Sequence, residues 1–258
     1  MNLARDPRWG RVQESYGEDP WLAARMGVAF VRGLQGDDPR YLKVVATPKH
    51  FAANSEETHR FGGSAAVPER LLRAYYLPHF AACVREAGAA SVMCAYNAIN
   101  GVPCCANRKL LTEILRKEWG CDGYVVSDCG AIEQIHGSHH AARSLEDAAV
   151  RALRAGCDLD CGNAYGATLA RAVRGGRADV ADVDRAVPRL FRARFRIGEF
   201  APPALVRWPA TATAVVDSAA HRALARRTAR ESLVLLRNPG GLRPFGRDLR
   251  SLAVIGPS

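Results

Sequence analysis

The sequence predicts an α/β protein in which helices cover a parallel sheet. Short continuous apolar runs alternate with amphipathic helical stretches, and residues with chemical potential stand at the C-terminal ends of those runs. Four such units can be counted, either part of a doubly wound sheet or half of a barrel, and side chains converging from several strand ends favour the barrel. From Phe200 the chain turns linker-like, with Ala-Pro-Pro-Ala followed by Trp-Pro-Ala-Thr-Ala-Thr.

Asp19-Pro20 supplies an N-cap and an N1 proline for a first helix, in which Leu22, Met26, Phe30 and Leu34 recur every four residues until Gly36. Leu42 to Thr47 reads as a buried strand and Lys49 to Ala65 as a long polar loop. A helix from Pro68 carries Leu71, Leu72, Tyr75, Tyr76, Phe80 and Val84, kinks at Pro78 and ends at Gly88. Ala90 to Ala95 is a strand. A helix with Leu110, Leu111, Ile114 and Leu115 follows, and then a strand from Gly123 to Ser127. Ser144-x-x-Asp147 has the form of a capping box for a helix that Gly156 closes before a short strand at Cys157 to Asp160. Further helices are expected near 166–174, 182–196 and 221–231, with strands at Leu233 to Leu236 and Leu252 to Ile255.

Composition narrows the function. The formal charge of +10 would suit an acidic partner, but all except four of the 36 basic residues are arginines, scattered along the polar faces of helical stretches. That pattern argues against a nucleic-acid-binding module. No run is long and apolar enough for a membrane span, and the N-terminus lacks the basic-then-apolar order of a signal peptide. Eight cysteines without paired C-x-x-C spacing argue against a structural metal, leaving room for one or two disulfides near 104–161. Compartment stays open.

Gly123-Tyr-Val-Val-Ser-Asp128 ends a buried strand in a lone carboxylate, which a rigid element can aim at a substrate as nucleophile or base. Read alone, such an aspartate can equally cap a helix. It occurs, however, with Asn2-Leu-Ala-Arg-Asp-Pro-Arg-Trp-Gly-Arg11, Glu14-Ser-Tyr-Gly-Glu-Asp-Pro20, Thr47-Pro-Lys49-His50-Phe51 and Ser91-Val-Met93-Cys-Ala-Tyr96-Asn97. In that order the five motifs resemble glycoside hydrolase family 3 over nearly the whole chain.

The resemblance implies a partial (β/α)8 TIM-like barrel at 1–199, a linker at 200–228 and the start of an α/β sandwich domain at 229–258. It implies a retaining, exo-acting β-glycosidase in which Asp128 attacks the anomeric carbon. Arg11, Lys49 and His50 would hold sugar hydroxyls, and Met93 and Tyr96 would line the pocket. The arginine and lysine are expected to keep Asp128 ionised, and the tyrosine hydroxyl to steady its carboxylate. No cofactor or metal is required. The substrate would be an oligosaccharide or an aryl or alkyl β-glycoside, with neither nucleic acid nor membrane as partner.

Retaining hydrolysis also needs an acid/base carboxyl. In most of the family it comes from the second domain, and the match to that domain's opening runs out at Ser258. His59, the counterpart of an alternative histidine acid, sits without the surrounding motifs of the branch that uses one. A non-catalytic sugar-binding pseudoenzyme is the alternative. Cys129 after the nucleophile, with Asp158-Leu-Asp-Cys-Gly162, resembles the β-xylosidase-like branch, with β-glucosidase close behind.

Overall fold

A computed structural model describes residues 1–207 and 213–256. The chain divides into two units, Met1–Pro209 and Ala210–Ser258.

In the first unit, helix α1 (Pro20–Gln35) begins as expected, with the Asp19 carboxylate accepting from the Trp21 amide at 2.8 Å and Gly36 ending it at positive φ. Its buried face differs from the stripe that marked it: Ala23, Ala24, Gly27, Val28 and Val31 pack inward, while Leu22, Met26, Phe30 and Leu34 stay exposed. Small residues allow close approach to the neighbouring helix, as Gly27 shows, where a Cβ would collide with the Cys83 sulfur.

The strand expected at Leu42 to Thr47 does not form. The amides of Leu42 and Lys43 bond instead to the Arg196 and Gln35 carbonyls at helix ends. Strand-like pairing begins later, where Met93 N donates to Pro48 O and Phe51 N to Met93 O.

A two-residue strand β1 (Ser64–Ala65) precedes a broken helix: α2 (Glu69–Leu71), a π turn over Leu72–Tyr76, and α3 (Pro78–Arg85). The break lies where expected, because Pro78 has no N–H to continue the ladder and Leu77 N reaches back to Leu72 O. Strand β2 (Ser91–Cys94) leads into the short pair β3 (Ala98–Ile99) and β4 (Val102–Pro103). The Leu110, Leu111, Ile114, Leu115 face is buried on a π-helical segment, Lys109–Glu118.

Strand β5 (Tyr124–Ser127) pairs parallel with β2, Val92 facing Val125 and Cys94 facing Ser127. Single parallel bridges extend this sheet on both sides, Phe51 to Cys94 and Val126 to Leu159. The order is therefore the 48–52 segment, β2, β5 and the 157–160 segment, all parallel. Four units are present, as the alternation indicates, but a closed barrel is not formed among the described residues. Closure needs about eight tilted strands.

Helices α4 (Ala131–His136), α5 (Leu145–Ala155), α6 (Ala164–Arg174) and α7 (Val180–Arg196) complete the unit. Ser144 caps α5 by accepting from Asp147 N at 3.2 Å, but the Asp147 carboxylate takes the Arg143 amide, so only half of the expected box is made. Phe51, Phe80, Val92, Leu111, Ile114, Val125 and Ile132 form the core between sheet and helices. Phe51 and Phe80 meet edge to face at 5.0 Å.

The second unit contains α8 (Ala219–Ser232), capped by Ser218. The strands expected at 233–236 and 252–255 are absent. Both stretches lack a pairing partner among the described residues, and Leu236 and Ile255 are 92% and 93% exposed.

Candidate active site

Asp128 follows the last residue of β5, so the strand fixes where its carboxylate stands. Its amide donates to Cys94 O at 3.0 Å, its carbonyl accepts from Ala131 N at 2.9 Å, and Oδ1 accepts from Cys129 N at 2.8 Å. The turn beyond it needs a left-handed residue, which Gly130 supplies at φ 82°. A disulfide from Cys129 to Cys161 ties this turn to the end of the neighbouring strand segment, and a second joins Cys94 to Cys105.

The other oxygen, Oδ2, is buried and makes no hydrogen bond among the described residues. Nε2 of His50 lies 3.4 Å from it and Nη2 of Arg60 4.0 Å. Burial pushes the Asp128 carboxyl above its usual range, against the pull of the Cys129 amide and of Arg60, Lys49 and Arg11. The arginine and lysine pull the pKa down, as the sequence leads one to expect, but the net shift is upward. They oppose the shift, and desolvation outweighs them because only the Cys129 amide bonds the carboxylate directly.

Burial, with the Lys49 and Arg11 charges beside it, lowers the His50 pKa from 6.5 to about 3, so the ring is neutral. Arg11 grips Glu14 with Nε at 2.9 Å and Nη2 at 2.6 Å, leaving Nη1 buried without a hydrogen bond, 4.0 Å from an equally unsatisfied Glu57 oxygen. Arg60 binds Glu57 at 2.7 Å and lies over the Tyr96 ring at 4.7 Å, with its Nε unsatisfied. Tyr96 is buried, packs edge to face on Phe61 at 4.9 Å, and donates its hydroxyl to the Cys129 carbonyl.

Unsatisfied donors and acceptors therefore gather round one carboxylate. Buried polar groups are ordinarily bonded, so such a concentration marks a place where a ligand completes the bonding. A polyhydroxylated ligand, each hydroxyl both donor and acceptor, is the natural complement. A cavity of about 480 Å³ is lined by Asn54, Ser55, Glu56, His59, Arg60 and Asn97, and shares only Arg60 with the groups around Asp128. A cavity of about 570 Å³ elsewhere is lined by Arg108, Arg151, Arg154 and Arg185, each paired with a carboxylate. Among the described residues no His, Cys, Asp and Glu group could hold a metal, and no helix is long and apolar enough to cross a membrane.

Residues 1–193 match the glycosyl hydrolase family 3 N terminal domain, a span that includes every residue of this site. The chain belongs to glycosyl hydrolase family 3. It is 40% identical over 262 residues to a xylan 1,4-beta-xylosidase of Xylanibacter ruminicola and 42% identical over 269 residues to the exo-1,4-beta-xylosidase bxlB of Emericella nidulans. All of this chain is covered, but only 30% and 34% of those proteins, so it spans about a third of their length. Among solved structures it resembles the GH3 exo-beta-xylosidase XlnD in complex with a xylobiose aziridine probe, with a TM-score of 0.87, 36% identity, and 97% of this chain and 33% of that one covered. A beta-glucosidase from Listeria innocua in complex with isofagomine matches with a TM-score of 0.86 at 35% identity, covering 95% of this chain and 35% of that one.

Of the residues singled out from the sequence, the family 3 fold brings His50 against Asp128, places Tyr96 beside the same turn, and sets Arg11 and Lys49 near enough for their charges to act on Asp128. Lys49 is exposed, and the Lys49–His50 peptide is cis. Met93 is half-buried in β2, positioned through its backbone bonds to Pro48 and Phe51. Tyr96 differs from expectation in that its hydroxyl goes to Cys129 O, which lies nearer than the carboxylate through the tight turn.

Arg60 and Asn2 were missed. Arg60 adjoins His59, whose side chain is 79% exposed and faces Glu56, and nothing in their spacing separates the two. Asp158, on the neighbouring strand segment level with Val125, is taken up by Arg116, by Arg189 at 2.8 Å and by the Val125 amide at 2.8 Å, a structural role. The histidines at 136 and 139 bond the Ala142 and Tyr96 carbonyls.

Proposed function

We propose that this chain carries the nucleophile-bearing half of the active site of a retaining, exo-acting β-glycosidase acting on terminal β-linked xylose or glucose. The observation that carries the reading is the buried, unbonded Oδ2 of Asp128, aimed from the end of β5 into a ring of unsatisfied donors. Asp128 attacks the anomeric carbon and the aglycone leaves, giving a covalent glycosyl-enzyme that water then hydrolyses. Arg11, Lys49 and His50 bind ring hydroxyls, while Met93 and Tyr96 wall the subsite. Arg60, stacked on Tyr96, opposes the negative charge that returns to Asp128 when the intermediate breaks down.

The general acid is read as coming from another part of the protein. Glu14 is held ionised by Arg11 and so is not a proton-loaded acid, and Glu57 is engaged by Arg60. Xylose is favoured over glucose because the curated relatives named above are xylosidases.

The test is covalent trapping with 2-fluoro xyloside and 2-fluoro glucoside bearing a dinitrophenyl leaving group, which departs without acid assistance. A glycosyl adduct mapped to the Asp128 peptide, faster with the xyloside, is the expected result. An adduct on another carboxylate would overturn it.

A further inference from the structure

Asn2 is buried and holds His50 at two points. Its Oδ1 accepts from the His50 backbone N–H at 2.9 Å and stands 3.0 Å from the ring Nδ1, while its Nδ2 donates to the Asn54 carbonyl. Flipping the amide would set NH₂ against the His50 N–H and oxygen against the Asn54 carbonyl, so only one orientation is compatible with its neighbours. With an amide oxygen facing Nδ1, the neutral ring carries its proton there and has a lone pair at Nε2. That lone pair lies 3.4 Å from Asp128 Oδ2, another acceptor. Two acceptors thus face one another with no donor between them.

We infer that Asn2 is a positioning residue that locks His50 as its Nδ1–H tautomer, so that Nε2 accepts a hydrogen bond from a hydroxyl of the bound sugar beside Asp128. A hydroxyl seated there points its O–H at Nε2 and turns its oxygen lone pairs toward the cations of the site. The opposite tautomer would place an N–H against Asp128 Oδ2, tie up the attacking oxygen and leave the hydroxyl without its acceptor. The tautomer stands on the geometry of Asn2 alone; its consequence for reaction rests on the reading of Asp128 as nucleophile.

The experiment is long-range ¹H–¹⁵N correlation on the full chain labelled at histidine nitrogens, at pH 7, with His50 assigned by its loss in His50→Gln. The expected spectrum shows His50 neutral with the proton on Nδ1. Asn2→Leu loses that form, whereas Asn2→Asp, which keeps an acceptor oxygen, retains an Nδ1 proton. Trapping of Asp128 by the activated 2-fluoro xyloside is expected to slow by roughly 10-fold or more in Asn2→Leu and by less in Asn2→Asp. An Nε2–H tautomer in the unaltered chain, or an unchanged tautomer in Asn2→Leu, overturns the assignment. Loss of the tautomer with an unchanged trapping rate overturns its role in reaction. If Asn2→Leu does not fold, the unaltered chain and Asn2→Asp still decide the tautomer. Absence of any adduct in the unaltered chain would count against Asp128 as nucleophile and leave the tautomer result standing.

Discussion

Asp128 and Asp158 are two carboxylates on adjacent parallel strand segments, Asp158 level with Val125 and Asp128 just past the end of β5, with opposite surroundings. Asp158 is shared among two guanidiniums and a backbone amide, joining the π-helical segment, α7 and β5 into one unit. Asp128 has one oxygen on the Cys129 amide and the other without a hydrogen bond among the described residues. Both follow apolar residues in the sequence, yet one is built into the fold and the other keeps a buried oxygen that no described residue bonds. Satisfaction of the acceptor separates them, and burial alone would not.

Substitution sharpens the contrast most. Asp128→Asn should abolish covalent trapping and leave the fold intact, as read by labelling and thermal melting. Asp158→Ala should do the reverse in kind: it strands Arg116, whose side chain is only 9% exposed, at a cost of about 3–5 kcal/mol in denaturant unfolding. Comparable destabilisation by both would break the distinction.

Acidity gives the next effect. Because burial raises the Asp128 pKa, the trapping rate should fall with decreasing pH at a point above the ordinary aspartate range near 3.9. The same shift means that the fold prefers the protonated group. Its stabilising contribution is present below the unfolded pKa and lost as pH rises through the folded one. Asp128→Asn should therefore melt higher than the unaltered chain at pH 7 and level with it near pH 3. Removing Arg60 as Arg60→Ala should move the acid limb of trapping further upward, since a cation that lowers the carboxyl pKa is gone.

His50 and His79 act in the opposite direction on stability. Both are buried, and each has its pKa lowered from 6.5 to about 3. The unfolded chain takes up their protons first, so stability declines as pH falls from about 6.5 toward about 3. His79→Gln should flatten that decline in pH-dependent melting while leaving trapping at neutral pH unchanged, because His79 is buried on α3 beside Phe80, away from the site.

Helices were legible in the sequence because caps and stops are local: Asp19-Pro20, Ser144, Gly36 and Gly156 each act within a few residues. The buried face of α1 was not, since small residues that admit a neighbouring helix carry no hydrophobic signal of their own. Strands depend on partners far along the chain, which is why Leu42 to Thr47 looked like a strand and pairing fell on the segment beginning at Pro48 instead. Leu233 to Leu236 illustrates the same dependence, an apolar run with no partner strand among the described residues. At the site, the motifs that carry the family resemblance point to Asp128, His50 and Tyr96, while the balance of burial against charge at Asp128, and the placement of Arg60 and Asn2, depend on distances that spacing does not encode.

The most direct measurement of the central claim is the site of covalent glycosylation. After incubation with dinitrophenyl 2-fluoro xyloside, peptide mapping by mass spectrometry should find the added sugar on the Asp128 peptide and nowhere else, and Asp128→Asn should remove it. An adduct on Glu57, Asp160 or any other carboxylate of the folded chain, with Asp128 unmodified, would contradict the account.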